Sequence, residues 1–333
     1  MATCRVYLFT YKRHHLLPRA VNSLLSQSLK DWVCEVHNDC PGDDFPGNYV
    51  RSLNDERFIV KDHPLNLGGT ASFNLAYQNI RERYISILED DNWWEPDFLR
   101  EMVRLMDRHP HLSMAWCNMN VWTELENNGW ENTHSTVWPD QPEDLVFTRL
   151  HIKQAMGGLH SNGAMLLRGK DAAKCVIPDS CELSIIEGVR ERAMAFPIYF
   201  HARALANFSR TRHTSRSGDA LVWTSAQLLL LASFIMTAGD RQQAFKKCLA
   251  YYRGQKPSPV ASFFLANLFL IKQPELYRQF TPADWLATGK WLLRNIFRLS
   301  FVRKYLDSNR DTYHYLLTNT RARYADPDDQ NTN

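Results

Sequence analysis

Glu89, Asp90 and Asp91 place three carboxylates in a row directly after the apolar run Tyr84-Ile85-Ser86-Ile87-Leu88. A run of that length reads as a short buried strand, so the acids stand at its C-terminal edge. Hard divalent cations take oxygen ligands, and Mg²⁺ or Mn²⁺ commonly bridges a carboxylate to a diphosphate. In open α/β sheets, ligands bind at the carboxyl ends of the strands. The triplet therefore suits a metal–nucleotide site. Its plainer alternative is a solvated turn ahead of a helix beginning near Pro96.

A site of this kind needs strands to carry it. Arg5-Val6-Tyr7-Leu8-Phe9-Thr10 reads as a first buried strand and Trp32 to His37 as a second, ending at Asn38-Asp39. Phe58-Ile59-Val60 is a short third strand, and the run before the acids is the fourth. Helical spacing over Pro18 to Leu29, Thr70 to Arg83 and Phe98 to Met106 separates or follows them. Strands alternating with helices predict an α/β protein, Rossmann-like, with a mostly parallel sheet flanked by helices. Four strand ends then converge: Thr10-Tyr11, Asn38-Asp39, Asn66 to Gly69, and Glu89 to Asp91. Later strands are expected at Ser113 to Asn120, Ala164 to Arg168 and Ile198 to His201, and a helix at Leu183 to Ala195. Thr123 to Asp144 reads as a polar loop over the site, and Asp43 to Gly47 as another loop.

The 333 residues suffice for one large domain or two ordinary ones. A net charge of +3 gives no broad basic field, which argues against nucleic acid as a partner. From Asp219 onward 15 Lys/Arg face 9 Asp/Glu, whereas the residues before it carry 24 against 27. A mildly acidic N-terminal part thus joins a basic, helical C-terminal part. The division expected is 1–218 for the α/β domain, 219–325 for a helical domain and 326–333 for a disordered tail. Seven cysteines, none in a CxxC pair, and an N-terminus without a signal-peptide pattern predict reduced thiols and a cytoplasmic protein. The uncharged stretch Ala220 to Gly239 is long enough to test as a membrane span, but its Thr, Ser and Gln residues favour a buried helix.

Taken in order, these motifs resemble those of the family 2 glycosyltransferases, which have the GT-A fold. The landmarks are Phe9-Thr10-Tyr11-Lys12-Arg13; the helix Ser23-Leu24-Leu25-Ser26-Gln27; Val36-His37-Asn38-Asp39; Asn66-Leu67-Gly68-Gly69 with Asn74; and Leu88-Glu89-Asp90-Asp91 with Trp93, Pro96 and Leu99. The likeness covers about residues 3–217 and implies inverting transfer of a sugar from a nucleotide-sugar to an acceptor hydroxyl. Residue by residue, it implies that Tyr11 lies against the nucleobase with Thr10 and Arg13 near the nucleotide. It implies that Asp39 accepts from a base N–H, favouring a UDP- or dTDP-sugar. Tyr11 as a turn residue and Asp39 as an Asx-turn are the structural alternatives. Gly68 and Gly69 let backbone approach the ligand or simply make a turn. Asn66 and Asn74 are nucleotide contacts or helix caps. Asp91 matches the last acid of the family's DxD motif and is the expected ligand of Mn²⁺ or Mg²⁺. Glu89 stands in place of the first acid, one methylene longer, and the resemblance implies that Glu89 and Asp90 contact the nucleotide.

An inverting transfer needs a base on the acceptor side. The resemblance points to a carboxylate before a downstream helix, for which Glu182 and Glu187 are the candidates, with Glu182 at the expected helix start. Either is otherwise a surface glutamate. His213, in Arg212-His213-Thr214-Ser215-Arg216-Ser217, is a candidate to complete the metal shell or is simply exposed. Trp291 to Tyr305 mixes bulky apolar residues with Arg and Lys at helical spacing, as interfacial helices do. These helices suit a peripheral contact with the inner face of the cell membrane and a lipid-linked or glycan acceptor. Alternatively they pack on the catalytic domain or on a second copy in a homo-oligomer. Glu89, Asn38 and the absence of a Glu-Asp pair near 182 leave a competing reading: a catalytically silent relative that binds nucleotide or glycan as an assembly partner. A nucleotidyltransferase is disfavoured, because no glycine follows the first strand between Tyr11 and His15.

Overall fold

The first strand, β1 (Cys4–Thr10), is buried along nearly its whole length. The computed structural model describes residues 2–126, 129–140, 142–212, 219–321 and 324. Cys4, Val6 and Leu8 alternate onto one face of β1, where Leu17, Ala20, Val21 and Leu24 of α1 (Leu17–Leu25) join the same core. β2 (Trp32–Asn38) and α2 (Phe45–Ser52) follow, then β3 (Phe58–Asp62), α3 (Gly69–Leu75) and β4 (Tyr84–Glu89). Next come the short β5 (Trp93–Trp94), α4 (Phe98–Arg108) and β6 (Met114–Glu124). β7 (Trp130–Thr136), β8 (Leu145–Phe147), β9 (Met165–Arg168) and β10 (Ile198–Arg210) complete the strands.

Among the described residues these form a ten-stranded sheet in the order β3-β2-β1-β4-β9-β6-β10-β5, with β7 on β6 and β8 on β10. β1 pairs in parallel with both β2 and β4. Its register sets Thr10 opposite Asn38 and Phe9 opposite Glu89, which aligns three polar strand ends at one edge. The β3-β2-β1-β4 part is parallel, as the alternation of strands and helices predicts. Beyond it the sheet is mixed, because β9 runs antiparallel to both β4 and β6.

Several elements differ from expectation. α2 starts within the stretch read as a loop: Pro46 occupies its first turn, where a missing N–H costs nothing, and Asp43 Oδ1 accepts the Phe45 N–H at 3.1 Å. α3 ends at Leu75 rather than Arg83, and Asn79 beyond it takes a positive φ of 55° that no helix continues through. Thr123 to Asp144 contains β7, antiparallel to β6, so it is not simply a loop. β10 runs to Arg210 because bulges between His201 and Ala206 let it continue past the apolar pattern.

The second compact unit comprises residues 149–159, 180–193 and 216 onward. The first two segments lie inside the span assigned by sequence to the α/β domain, yet they group with the helices. The unit contains α5 (Ile186–Ala193), α6 (Ala220–Thr237), α7 (Arg241–Arg253), α8 (Val260–Ala266), α9 (Pro282–Asn295), α10 (Leu299–Ser308) and α11 (Arg310–Asn319). α6 is long and apolar enough to cross a membrane, but Leu228 to Ile235 are fully buried. α8, α10 and α11 pack against it. The buried Arg192 ties the unit together, donating to the carbonyls of Gln154 at 2.8 Å and Leu230 at 3.2 Å. Glu191 accepts from Gln154 at 2.5 Å and from the Leu159 N–H at 2.7 Å. All seven cysteines are free, and all but Cys40 are buried.

Candidate active site at the strand ends

The acidic turn after β4 is held by the end of β1 and the turn beyond it. Asp90 is buried; the Tyr11 N–H donates to its Oδ2 at 3.4 Å, and the Thr10 hydroxyl also reaches it. Burial first, and then the Asp91 charge beside it, pushes the Asp90 carboxyl up to about 7. Arg13 counters this: its Nη1 lies 3.3 Å from Asp90 Oδ1 and forms an ion pair with Asp91 Oδ2. Burial works against the Arg13 charge, but Asp91 and Asp90 outweigh it and raise its pKa. Glu89 accepts from Asn92 Nδ2 at 2.7 Å, and Asn92 Oδ1 accepts the Ser209 N–H of β10 at 3.0 Å. Gly163 makes room for this pair, since a β-carbon there would lie 3.0 Å from Asn92 Nδ2 and 3.2 Å from Glu89 Oε2.

Asp39 organises the neighbouring loop. Its Oδ1 accepts from the Leu67 N–H at 2.8 Å and from His63 Nδ1 at 2.9 Å, and its Oδ2 accepts from the Gly68 N–H at 3.1 Å. One lone pair of Oδ2 is left for a ligand. Asn66 Nδ2 donates to the Asp39 carbonyl at 3.0 Å. Gly68 takes a positive φ of 78°, which its missing side chain permits, and caps α3, whose first residue is Gly69. Tyr11 is 42% exposed at the end of β1, with Lys12 Nζ 5.0 Å from its ring centre. His63 in turn meets His37 at 3.0 Å, and His37 meets Glu35 at 3.2 Å. The Asp39 carboxylate only accepts, so His63 donates to it through Nδ1.

Thr10, Tyr11, Arg13, Asp39, Asn66, Gly68, Gly69, Glu89, Asp90 and Asp91 all belong to the end of β1, the loop after β2, the α3 start or the end of β4. Asn74 is different: it is buried, and its amide donates to the Ile177 carbonyl and to Asp179, both at 2.7 Å, while Asn74 Oδ1 accepts the Ile177 N–H. It anchors a chain segment in place of the nucleotide contact expected of it. Glu182 and Glu187 lie in the second unit: Glu182 in extended backbone before a 3₁₀ turn, and Glu187 in the first turn of α5 with its β-carbon against Gly158. His213 lies outside the described residues, as do Arg216 and residues 325–333.

Mg²⁺ and Mn²⁺ use one or two protein carboxylates and fill the remaining positions with phosphate oxygens and water. Asp91, at 17% side-chain exposure, suits that role, whereas Asp90 is closed in at 5%. Among the described residues no three His, Cys, Asp or Glu side chains converge as a ready-made cage. The donor set thus fits a cation shared with a diphosphate rather than one enclosed by protein.

Sequence reasoning missed Arg19. Its guanidinium packs on the rings of both Trp93 and Trp130, 3.8 Å and 3.6 Å from their centres, the two indoles standing at 67° to each other. Nη2 donates to the Asp91 carbonyl at 2.7 Å and to Ser209 Oγ at 3.0 Å, and that hydroxyl also donates to the Asp91 carbonyl. Burial lowers the Arg19 pKa to about 10. The only early signal was a basic residue on α1; its partners stand up to 190 positions away.

The family model for glycosyl transferase family 2 matches residues 6–163. Over 95 residues the chain is 32% identical to the putative colanic acid biosynthesis glycosyl transferase WcaA of Escherichia coli, covering 28% of this chain and 34% of that protein. It is 26% identical over 134 residues to the uncharacterized protein y4gI of Sinorhizobium fredii, covering 40% of this chain and 14% of that one. The chain thus spans about a third or less of these relatives' length. Among solved structures, TarS 1–349 of S. aureus in complex with UDP-GlcNAc superposes with a TM-score of 0.59 at 14% identity, covering 95% of this chain and 90% of that one. The same fragment with UDP gives 0.57 at 15%, again covering 95% and 90%. At such identities these likenesses establish the fold.

Proposed function

Through residues 6–163 the chain belongs to glycosyl transferase family 2, and on that premise we propose that it moves a sugar from a nucleotide-diphosphate sugar to an acceptor hydroxyl with inversion. The observation that carries the reading is the register of β1 against β2 and β4. It brings the exposed Tyr11, the Asp39 loop, Arg13 and the acidic turn to one edge of one sheet. Tyr11 would stack on the base and Asp39 would use its remaining lone pair on a base N–H. Arg13 has donors suited to phosphate oxygens. Uracil is the favoured base because the structurally similar TarS is solved with UDP and UDP-GlcNAc; dTDP shares the same edge.

Asp91, with Glu89 as neighbour, would hold Mn²⁺ or Mg²⁺. Such a cation, when bound, offsets the charge that develops on the diphosphate leaving group. The chain's own residues hold the rest: Arg19 and Ser209 fix the Asp91 backbone, Asn92 orients Glu89, and Thr10 with the Tyr11 N–H fixes Asp90. Glu182 or Glu187 would take the proton from the acceptor hydroxyl. The likeness to a putative colanic acid biosynthesis enzyme supports a role in polysaccharide biosynthesis.

Replacing Asp91 by Asn keeps shape and hydrogen-bonding size while removing the charge. Donor turnover in Asp91→Asn is expected to fall by at least about a hundredfold with unchanged thermal unfolding. Near-native turnover would remove the metal role. One observation favours the silent-relative reading: Asp91 is ion-paired to Arg13 and Glu89 is tied to Asn92. Slow hydrolysis of donor by the native protein without acceptor would exclude it.

A further inference from the structure

The C-terminal half of α9 and the turn into α10 leave a large apolar surface uncovered. We propose that this surface docks on an anionic lipid bilayer. Only a narrow stripe of α9 faces inward, with Asp284 and Thr288 buried. Asp284 caps the helix with Thr281 and receives Arg253 at 2.6 Å, so the start of α9 is fixed to the rest of its unit. Outward, Leu286 is 60% exposed, Leu293 79%, Ile296 53% and Phe297 95%. Leu286 and Leu293 are seven residues apart, two helical turns, and so lie on one line along the helix. Phe297 sits in the 3₁₀ turn Ile296–Arg298, at the elbow between α9 and α10. A phenylalanine presented this openly at a bend, beside isoleucine, has no packing role in its own unit. An uncovered apolar patch of this kind marks an interaction site.

The charges select the partner. Between Asp284 and Asp307 there is no acidic residue, while Lys290, Arg294, Arg298, Arg303 and Lys304 are all present and exposed. Long basic side chains beside an apolar face lay their stems along it and hold their charged ends at the level of lipid headgroups. Clusters of this composition are attracted to the negative surface of membranes rich in anionic lipid. A second copy of the chain would have to bring these five cations against the same five, unrelieved by any acid within the segment, so self-association through this face is disfavoured. α10 turns Val302 and Leu306 inward onto α6 and thereby fixes the elbow from its other side. The surface is preformed rather than folded on contact.

The test is co-sedimentation of the full chain with vesicles of equimolar phosphatidylglycerol and phosphatidylcholine, and with vesicles of phosphatidylcholine alone. No donor is present, so the result does not depend on the sugar-transfer reading. The native protein is expected to partition to the anionic vesicles, more weakly at high salt, and little to the neutral ones. The double variant Leu293→Ser, Phe297→Ser is expected to lose at least about tenfold in partition with unchanged circular dichroism. Arg294→Glu with Arg298→Glu should lose binding to anionic vesicles alone. Equal partition of native and Ser variants would overturn the proposal. So would a native dimer, seen by sedimentation equilibrium, that the Ser variant dissociates while vesicles bind neither form.

Discussion

Two arginines do different work around Asp91. Arg13 meets its carboxylate and Arg19 its carbonyl, so the charge of the turn and the path of its backbone are set separately. Arg19 is held in a geometry that lysine cannot copy, because its guanidinium meets two indoles set at 67° to each other while donating to both the Asp91 carbonyl and Ser209. Arg19→Lys is expected to cost about 1–2 kcal/mol of stability and to weaken nucleotide binding, measured by urea unfolding and calorimetry. Unchanged values of both would show that the stacking positions nothing. Asp91, Arg13 and Asp39 were legible in the sequence because they sit at strand ends beside apolar runs. Arg19, Ser209 and Asn92 were not, since their partners come from β5, β7 and β10. Asn74 misled for the related reason that its amide is engaged by residues about a hundred positions later.

At the scale of elements, the parallel core was readable from alternation, and its departures have local causes. A positive φ at Asn79 cut α3 short, and bulges carried β10 beyond its apolar stretch. β9 depends on a close approach that composition does not announce. Gly169 follows β9 against the chain before β4, and a β-carbon there would stand 2.1 Å from the Glu82 carbonyl oxygen and 2.8 Å from Ile80. Backbone cannot yield as a flexible side-chain end does. Gly169→Ala is therefore expected to destabilise by about 1–3 kcal/mol or more, read as a lower urea midpoint. A midpoint equal to the native one would mean that β9 can shift freely. The same region carries a charged network: Arg5 of β1 forms a two-pronged pair with Glu82, at 2.6 and 2.8 Å, and reaches Glu35 of β2. Beside it a cavity of about 620 Å³, bounded by Arg5, Tyr7, Glu35, His37 and Arg81 among others, opens on these strands away from the acidic turn.

For the whole molecule, that network predicts a pH dependence of stability. The hydrogen bond from His37 lowers the Glu35 pKa below its ordinary 4.5, against burial, and the Arg5 hydrogen bond does the same for Glu82. A carboxylate whose folded pKa is depressed binds fewer protons folded than unfolded in that range. Its stabilisation is therefore present above about 4.5 and is lost as pH falls through the lower folded values. The urea midpoint should drop on acidification below that value, and Arg5→Met should reduce it at neutral pH while flattening the acid limb. An unaltered acid limb would assign the effect to other carboxylates. The division into units was only partly legible: a sequence boundary near 218 could not reveal that 149–159 and 180–193 group with the later helices. Those segments are short and polar in part, and they hold their place through Glu191 and Arg192 rather than through any composition shift.

The central claim is that the acidic turn after β4 binds a nucleotide diphosphate together with a divalent cation. Calorimetric titration of UDP and dTDP into the native protein and into Asp91→Asn, each with and without Mn²⁺, tests it most directly. The account predicts binding of one or both nucleotides to the native protein that strengthens markedly with Mn²⁺, and no Mn²⁺ enhancement in Asp91→Asn. Binding that ignores Mn²⁺ in both proteins, or no binding of either nucleotide, would contradict it.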